Sequence, residues 1–169
     1  EKRADAGQKG LAAARSIALL SYRHYNGYEI TQARDKAFVP MENTTVFAAD
    51  NYQRYQGLKL VTRFNVISYY RLTQAMDSHD VGRNRGSLEE ALASITARTL
   101  VIGINSDVLY PIQEQEFLHK HIRGSVFLNI TSDFGHDGFL LEYDRIEKAL
   151  KDFVEGQDAF LTVKWKHTN

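Results

Sequence analysis

The sequence contains no cysteine, which excludes a disulfide scaffold, a thiolate zinc site and a cysteine nucleophile. Lys and Arg number 21, as do Asp and Glu, so the chain lacks the positive excess of nucleic-acid binders. The longest apolar run, residues 99–104, is far too short to cross a bilayer. No secretory signal is visible either. We therefore expect a cytoplasmic protein that binds neither nucleic acid nor a membrane.

The chain has the size of one ordinary globular domain, with 169 residues of which 43% are apolar. A chain of this size buries about 70% of the surface that it exposes when unfolded, so a true core is expected. It begins with Glu1 rather than Met. We therefore expect it to be part of a longer protein.

Helical periodicity dominates the first part of the sequence, where apolar residues recur at three- and four-residue steps. The pattern predicts helices over residues 8–26, about 30–37, 52–64 and 66–77. Gly27 and Pro40 are expected to end the first two. Ser87-Leu-Glu-Glu90 has the form of a capping box and predicts another helix start. No strand is predicted before residue 95.

The second part alternates between strands and helices. β-branched and aliphatic runs predict strands over 98–105 and 126–130, and helices are predicted over 111–122 and 139–154. This order indicates an α/β fold with a parallel sheet. Two strands are too few for a stable parallel sheet, so something must cover the open apolar edge. Residues 157–169 are interpreted as a tail, and a poorly ordered extension is favoured over an added edge strand.

Two polar side chains follow the predicted strands. Asp107 comes just after the first strand, and His136 lies in the loop after the next. Reactive groups of open α/β sheets collect at this edge, where a carboxylate can orient one imidazole nitrogen and the other nitrogen acts as a base. Alternatively, Asp107 only holds a turn and His136 is a solvated loop residue. Spacing alone does not choose between these interpretations.

The segments around these two residues resemble known signatures. Ser106-Asp-Val-Leu-Tyr-Pro111 and Gly135-His-Asp-Gly-Phe-Leu140 are similar to the two C-terminal motifs of homoserine O-acetyltransferases. Further similar segments are Gly10–Arg15, Ser21–Arg23, Tyr55–Gly57, Arg63–Phe64, Ser68–Tyr69 and Asp77–Arg83. The resemblance covers roughly residues 8 to 154.

The resemblance implies the C-terminal part of an α/β-hydrolase fold with an inserted helical lid, and hence an incomplete sheet in this chain. Residues 1–80 would form the lid region, 81–156 the last strands and helices of the core, and 157–169 the tail. The family usually dimerises through lid helices, so a homodimer is expected.

The resemblance also implies a reaction. Homoserine O-acetyltransferases move an acetyl group from acetyl-CoA to the hydroxyl of L-homoserine, in methionine biosynthesis, through a Ser-His-Asp triad. Asp107 and His136 match the acid and the base. The sequence has no Gly-x-Ser-x-Gly elbow, so we expect the nucleophile upstream and no activity from this chain alone. Acetyl-CoA would be a co-substrate, and neither a cofactor nor a metal is expected.

The resemblance also implies substrate contacts for three residues. Arg15 and Tyr22, two helical turns apart, match positions that contact homoserine, and a guanidinium suits the substrate carboxylate. Asp137 matches a residue placed to receive the substrate ammonium. The plainer alternatives are a surface ion pair for Arg15 and an ordinary core or interface aromatic for Tyr22.

Other functions remain open from the sequence. One alternative is a different α/β-hydrolase, such as an esterase, or a relative that transfers succinyl groups or acts on serine. Another is a noncatalytic helical interaction module, which predicts no hydrogen bond between Asp107 and His136. His119 and His121 are predicted on different sides of a helix, which argues against a metal site.

Overall fold

The computed structural model describes residues 6–33, 38–41 and 44–157 of the chain. The chain forms two compact units, Glu1–His79 and Asp80–Asn169. Of the predicted tail, residues 158–169 lie outside the described part. None of the described helices combines the length and the apolar character that a membrane crossing requires.

The first unit is mainly helical. Its elements are α1 (Gln8–Tyr22), α2 (Tyr25–Gln32), β1 (Phe38–Met41), β2 (Thr44–Val46), α3 (Ala48–Arg63) and α4 (Val66–Asp77). The prediction for 66–77 is confirmed, and the one for 52–64 is confirmed with an earlier start.

Close packing between α1 and α3 holds this unit together. Leu11 and Leu19 of α1 are buried. A β-carbon on Gly57 of α3 would lie 2.8 Å from the Ala12 carbonyl oxygen, so only glycine permits this approach. The Ser16 hydroxyl lies 3.0 Å from the carbonyl oxygens of Ala12 and Gln53, and so links the two helices.

The predicted end of the first helix is wrong. α1 ends at Tyr22, because Arg23 and His24 have extended backbone and the His24 ring accepts a hydrogen bond from the Asn26 amide at the start of α2. Gly27 lies inside α2 and is buried. The predicted piece at 30–37 overlaps α2 only to Gln32, and residues 34–37 lie outside the described part.

The prediction of no strand before residue 95 is also wrong. β1 and β2 form an antiparallel pair, with Phe38 opposite Val46 and Met41 opposite Thr44. Strands of four and three residues are too short to establish an alternating pattern. Pro40, which is predicted to end a helix, instead lies in β1, and proline is tolerated in edge strands.

The second unit contains the predicted parallel sheet. Its elements are α5 (Leu88–Ala93), β3 (Leu100–Ile104), α6 (Ile112–His121), β4 (Val126–Ile130), a short 3₁₀ helix (Gly135–Asp137), α7 (Gly138–Leu141) and α8 (Tyr143–Val154). β3 and β4 pair in parallel, from Leu100 opposite Val126 to Ile104 opposite Ile130. Within the described residues no third strand joins this sheet, so the predicted α/β class with an incomplete sheet is confirmed.

Local sequence signals explain most boundaries of this unit. The capping box is present: the Ser87 hydroxyl accepts from the Glu90 amide at 3.1 Å, and the Glu90 carboxylate accepts from the Ser87 amide at 2.8 Å. The helix predicted over 139–154 is instead two helices, because the backbone of Glu142 leaves the helical region between them.

Apolar residues from both strands and from α8 form the core, namely Val101, Ile104, Val126, Ile130 and Ala149.

Candidate active site

Asp107 occupies the turn directly after β3. Its amide donates to the Ile104 carbonyl oxygen at 3.1 Å, and its Oδ1 accepts from the amides of Leu109 and Tyr110 at 2.8 and 3.0 Å. The residue is only 8% exposed. A buried carboxylate is costly unless it is hydrogen-bonded, and these turn amides supply two of its partners. The turn-holding interpretation of Asp107 is thus correct, but it is incomplete.

The third partner of this carboxylate is the imidazole of His136. Asp107 Oδ2 lies 2.8 Å from His136 Nδ1, and the side chains are 7% and 18% exposed respectively. A carboxylate only accepts hydrogen bonds, so Nδ1 donates, and in the neutral ring the proton-accepting lone pair is then on Nε2. The predicted contact is confirmed. Its geometry is that of an acid that orients a base.

The loop that carries His136 is fixed by hydrogen bonds at several points. The Ser132 hydroxyl accepts from the Phe134 amide at 3.2 Å, which closes a tight turn after β4. Gly135 then takes a positive φ of 63°, which a residue with a side chain rarely adopts. The amides of Ser132 and Gly135 donate to Asn105 Oδ1 and Ser106 Oγ, at 3.0 and 3.1 Å. The two strand-end loops are therefore joined directly.

Two aromatic rings lie close to the imidazole. The ring centres of Tyr110 and Phe139 each lie 5.2 Å from that of His136. A largely apolar cavity of about 550 Å³ opens beside Asp107 and His136. Both aromatics belong to the two C-terminal motifs, but the sequence alone indicates no role for them. Their positions could have indicated one, because Tyr110 lies three positions after Asp107 and Phe139 lies three positions after His136.

The remaining predicted site residues are placed as follows. Arg15 and Tyr22 share a face of α1, as predicted, and the guanidinium carbon lies 5.2 Å from the centre of the tyrosine ring. Asp137 is half-buried and ends the 3₁₀ helix that contains His136. Their contacts with homoserine stay predictions.

The two histidines near the end of α6 have separate protein partners. His119 Nδ1 lies 2.9 Å from Ser125 Oγ, and His121 Nδ1 lies 2.9 Å from the Phe117 carbonyl oxygen. No cluster of three potential metal-ligating side chains occurs within residues 6–33, 38–41 and 44–157.

Comparisons with known proteins give similar sequences over most of the chain. It is 42% identical over 149 residues to a homoserine O-acetyltransferase of Cyclobacterium marinum, covering 88% of this chain and 41% of that protein. It is 43% identical over 157 residues to one of Clavibacter michiganensis subsp. michiganensis, covering 89% and 40%. The chain therefore spans about two fifths of the length of these relatives. No family model matches it.

Solved structures share the fold. Homoserine O-acetyltransferase from Bacillus anthracis superposes with a TM-score of 0.73 at 22% identity, over 87% of this chain and 41% of that one. Esterase E22 gives a TM-score of 0.76 at 19% identity, over 90% and 44%. At these low identities the likeness to the solved structures concerns the fold alone, whereas the two relatives named above are both homoserine O-acetyltransferases. The chain is therefore similar in sequence to about two fifths of homoserine O-acetyltransferases, and it has the fold of part of an α/β-hydrolase.

Proposed function

We propose that this chain supplies the acid and the base of a homoserine O-acetyltransferase, which transfers an acetyl group from acetyl-CoA to the hydroxyl of L-homoserine in methionine biosynthesis. The observation that carries the proposal is the Asp107–His136 hydrogen bond at the carboxyl edge of the sheet. The sequence also supports the proposal, because the chain is more than 40% identical to two curated homoserine O-acetyltransferases.

In the proposed reaction His136 moves a proton twice. It first removes the proton of a serine hydroxyl, which attacks the thioester carbonyl of acetyl-CoA, and returns that proton to the departing CoA thiolate. It then removes the proton of the homoserine hydroxyl, which attacks the acyl-enzyme ester, and returns it to the serine. Asp107 holds the Nδ1 proton and stabilises the imidazolium that forms in each step.

The nucleophilic serine of this proposal lies in a segment outside the present sequence, which contains no Gly-x-Ser-x-Gly. The 169-residue chain is accordingly proposed to be inactive by itself. Acetyl-CoA enters as a co-substrate and the mechanism calls for no cofactor. Arg15 is proposed to bind the homoserine carboxylate beside Tyr22, and Asp137 its ammonium group.

The protein is also proposed to act in the cytoplasm, where amino-acid biosynthesis takes place. It is further proposed to form a homodimer through the helices of the first unit. Large apolar side chains on these helices are more than half exposed, among them Ile17, Leu58, Ile67 and Met76. Exposed apolar surface of this extent favours association. Size-exclusion chromatography of the purified chain tests this proposal, and a monomer at all concentrations would contradict it.

A hybrid enzyme tests the proposed reaction. In it the present chain replaces the matched segment of the Cyclobacterium marinum relative, so that the rest of that protein is retained. Release of the CoA thiol is measured with L-homoserine as acceptor. Acetyl transfer that is lost on His136→Gln supports the proposal.

Reactions with other donors and acceptors distinguish the proposed function from the related transferases and from an esterase. L-Serine as acceptor and succinyl-CoA as donor identify the related transferases, and hydrolysis of a simple acetyl ester without acceptor identifies an esterase. A hybrid that folds but transfers no acyl group to homoserine would contradict the proposed function. Transfer that persists in His136→Gln would contradict the assignment of the base.

A further inference from the structure

Three consecutive residues directly after β3 each form a hydrogen bond with the loop that follows β4. The acceptors are Asn105 Oδ1, Ser106 Oγ and Asp107 Oδ2. Their donors, in the same order along the chain, are the amide of Ser132, the amide of Gly135 and the ring nitrogen of His136. The base is thus connected to the acid loop at three successive points, and only the last involves the reacting side chains.

The middle contact lies closest to the base. Gly135 directly precedes His136, and its amide donates to Ser106 Oγ at 3.1 Å. Gly135 also has a positive φ of 63°. Glycine adopts positive and negative φ about equally, so its intrinsic preference alone does not keep the backbone in this conformation. A hydrogen bond to the amide of this residue therefore limits how the following imidazole can rotate and shift.

Burial separates the middle contact from the first. The donor residues Ser132 and Gly135 are both buried, but the acceptors differ: Asn105 is exposed, so water competes for its amide oxygen, whereas Ser106 is half-buried. A buried amide that loses its acceptor is costly, while an exposed contact is readily replaced by water. The Ser106 contact is expected to restrain the loop more strongly than the Asn105 contact.

We propose that Ser106 is a positioning residue for the catalytic base, which acts by holding the Gly135 amide so that His136 keeps its hydrogen bond to Asp107. The proposal rests on the proposed acyltransferase function, because it assigns His136 the role of base. Ser106 touches no reacting atom in this scheme. Its effect passes through the backbone of the His136 loop.

Kinetics of the hybrid enzyme give the first test. Ser106→Ala is expected to lower kcat about fivefold to tenfold with little change in KM, the effect of losing one neutral hydrogen bond that orients the base. Ser106→Thr keeps the hydroxyl and is expected to restore most of kcat. Asn105→Ala should have a smaller effect. Ser94→Ala, which removes a serine hydrogen bond to a helix carbonyl elsewhere in this unit, is the matched control and should leave kcat unchanged.

A spectroscopic readout tests the same point without turnover. The proton that His136 Nδ1 donates to Asp107 should give a far-downfield NMR signal in the 169-residue chain and in the hybrid. In Ser106→Ala this signal is expected to broaden or disappear through faster exchange with water, and in Ser106→Thr to persist.

These readouts keep the two proposals apart. If the hybrid transfers acetyl groups but Ser106→Ala has unchanged kcat and an unchanged downfield signal, the positioning role is wrong and the function stands. If the hybrid folds but is inactive, the proposed function fails, and the signal in Ser106→Ala still decides whether Ser106 maintains the hydrogen bond between His136 and Asp107. A Ser106→Thr variant as defective as Ser106→Ala would also overturn it, since shape rather than the hydroxyl would then matter.

Discussion

Gly138, at the start of α7, lies directly against Ile104, the last residue of β3. A β-carbon on Gly138 would lie 3.0 Å from Ile104 Cδ1 and also 3.0 Å from Ser132 Oγ. Neither neighbour moves easily, because Ile104 and Ser132 are both buried and the serine hydroxyl holds the Phe134 amide. The absence of a side chain at Gly138 thus allows the His136 loop to rest on the end of the strand.

Gly138→Ala is therefore expected to lower the free energy of unfolding of the second unit by about 1 kcal/mol. Urea unfolding followed by circular dichroism measures this, and amide hydrogen exchange over residues 135–142 reports the local loosening. Exchange in this segment that matches the wild type would show that the neighbours adjust without strain.

Asp107→Asn is expected to lower kcat of the hybrid enzyme by about 10⁴-fold, with KM nearly unchanged. The amide oxygen can still accept from the turn amides, so the loop should keep its shape. The amide nitrogen, however, cannot accept the proton on His136 Nδ1, and the tautomer that places the lone pair on Nε2 loses its support. Steady-state kinetics of CoA release provide the measurement.

The control for this substitution is Asp144→Asn, at an exposed carboxylate in the first turn of α8. It removes the same charge without touching the His136 loop, and kcat should stay at the wild-type value. An Asp107→Asn enzyme with wild-type kcat would remove Asp107 from the mechanism.

Gly57→Ala is expected to destabilise the first unit by about 1–3 kcal/mol. The added carbon would approach the Ala12 carbonyl oxygen to 2.8 Å, and backbone cannot yield as a flexible side chain can, so α1 and α3 must separate. Gly10→Ala is the control within α1, since nothing lies within 4 Å of a β-carbon there. It should raise stability by about 0.5–1 kcal/mol through helix propensity. Equal thermal midpoints for both variants would contradict this packing.

Glu147→Gln tests the exposed ion pair on α8. The hydrogen bond from Lys151 lowers the pKa of Glu147 below its ordinary value of 4.5, and the same contact raises the pKa of Lys151 above 10.5. The stabilisation from Glu147 is thus present above pH 4.5 and is lost as the pH falls through the lowered value. That from Lys151 is present below pH 10.5 and is lost as the pH rises through the raised value.

The thermal midpoint of Glu147→Gln should consequently lie slightly below that of the wild type at neutral pH. The difference should vanish in acid that protonates Glu147, and also in about 1 M salt, which screens exposed charges. A difference that survives both conditions would show that the substitution acts through something other than this pair.

Part of the fold followed from local signals. The boundaries predicted for 126–130 and 66–77 agree with the structure, because a continuous apolar run and a helical apolar stripe are each formed by neighbouring residues. The capping box at Ser87 and Glu90 was equally local. The helix breaks at Arg23 and Glu142 were missed, since neither residue is glycine or proline and the apolar stripe continues past both.

The candidate site divides in the same way. Asp107 and His136 were found because a strand-end position and a motif pointed to each. The contacts of Asn105 and Ser106 were not predicted. A hydroxyl or an amide oxygen that accepts a hydrogen bond from a distant backbone amide leaves no pattern in the sequence. Such a contact depends on where the other loop comes to rest.

The sequence by itself determined the strand–helix–strand order, the residue types at the two strand ends and the lack of a serine elbow. These are properties of neighbours along the chain, where periodicity, capping and motif spacing act. Only the tertiary structure decided that the Asp107 carboxylate meets the His136 ring and that the Gly135 amide meets the Ser106 hydroxyl. Parallel pairing of β3 and β4 brings their ends to one edge, and hydrogen bonds a few ångströms long then select one arrangement of the loops.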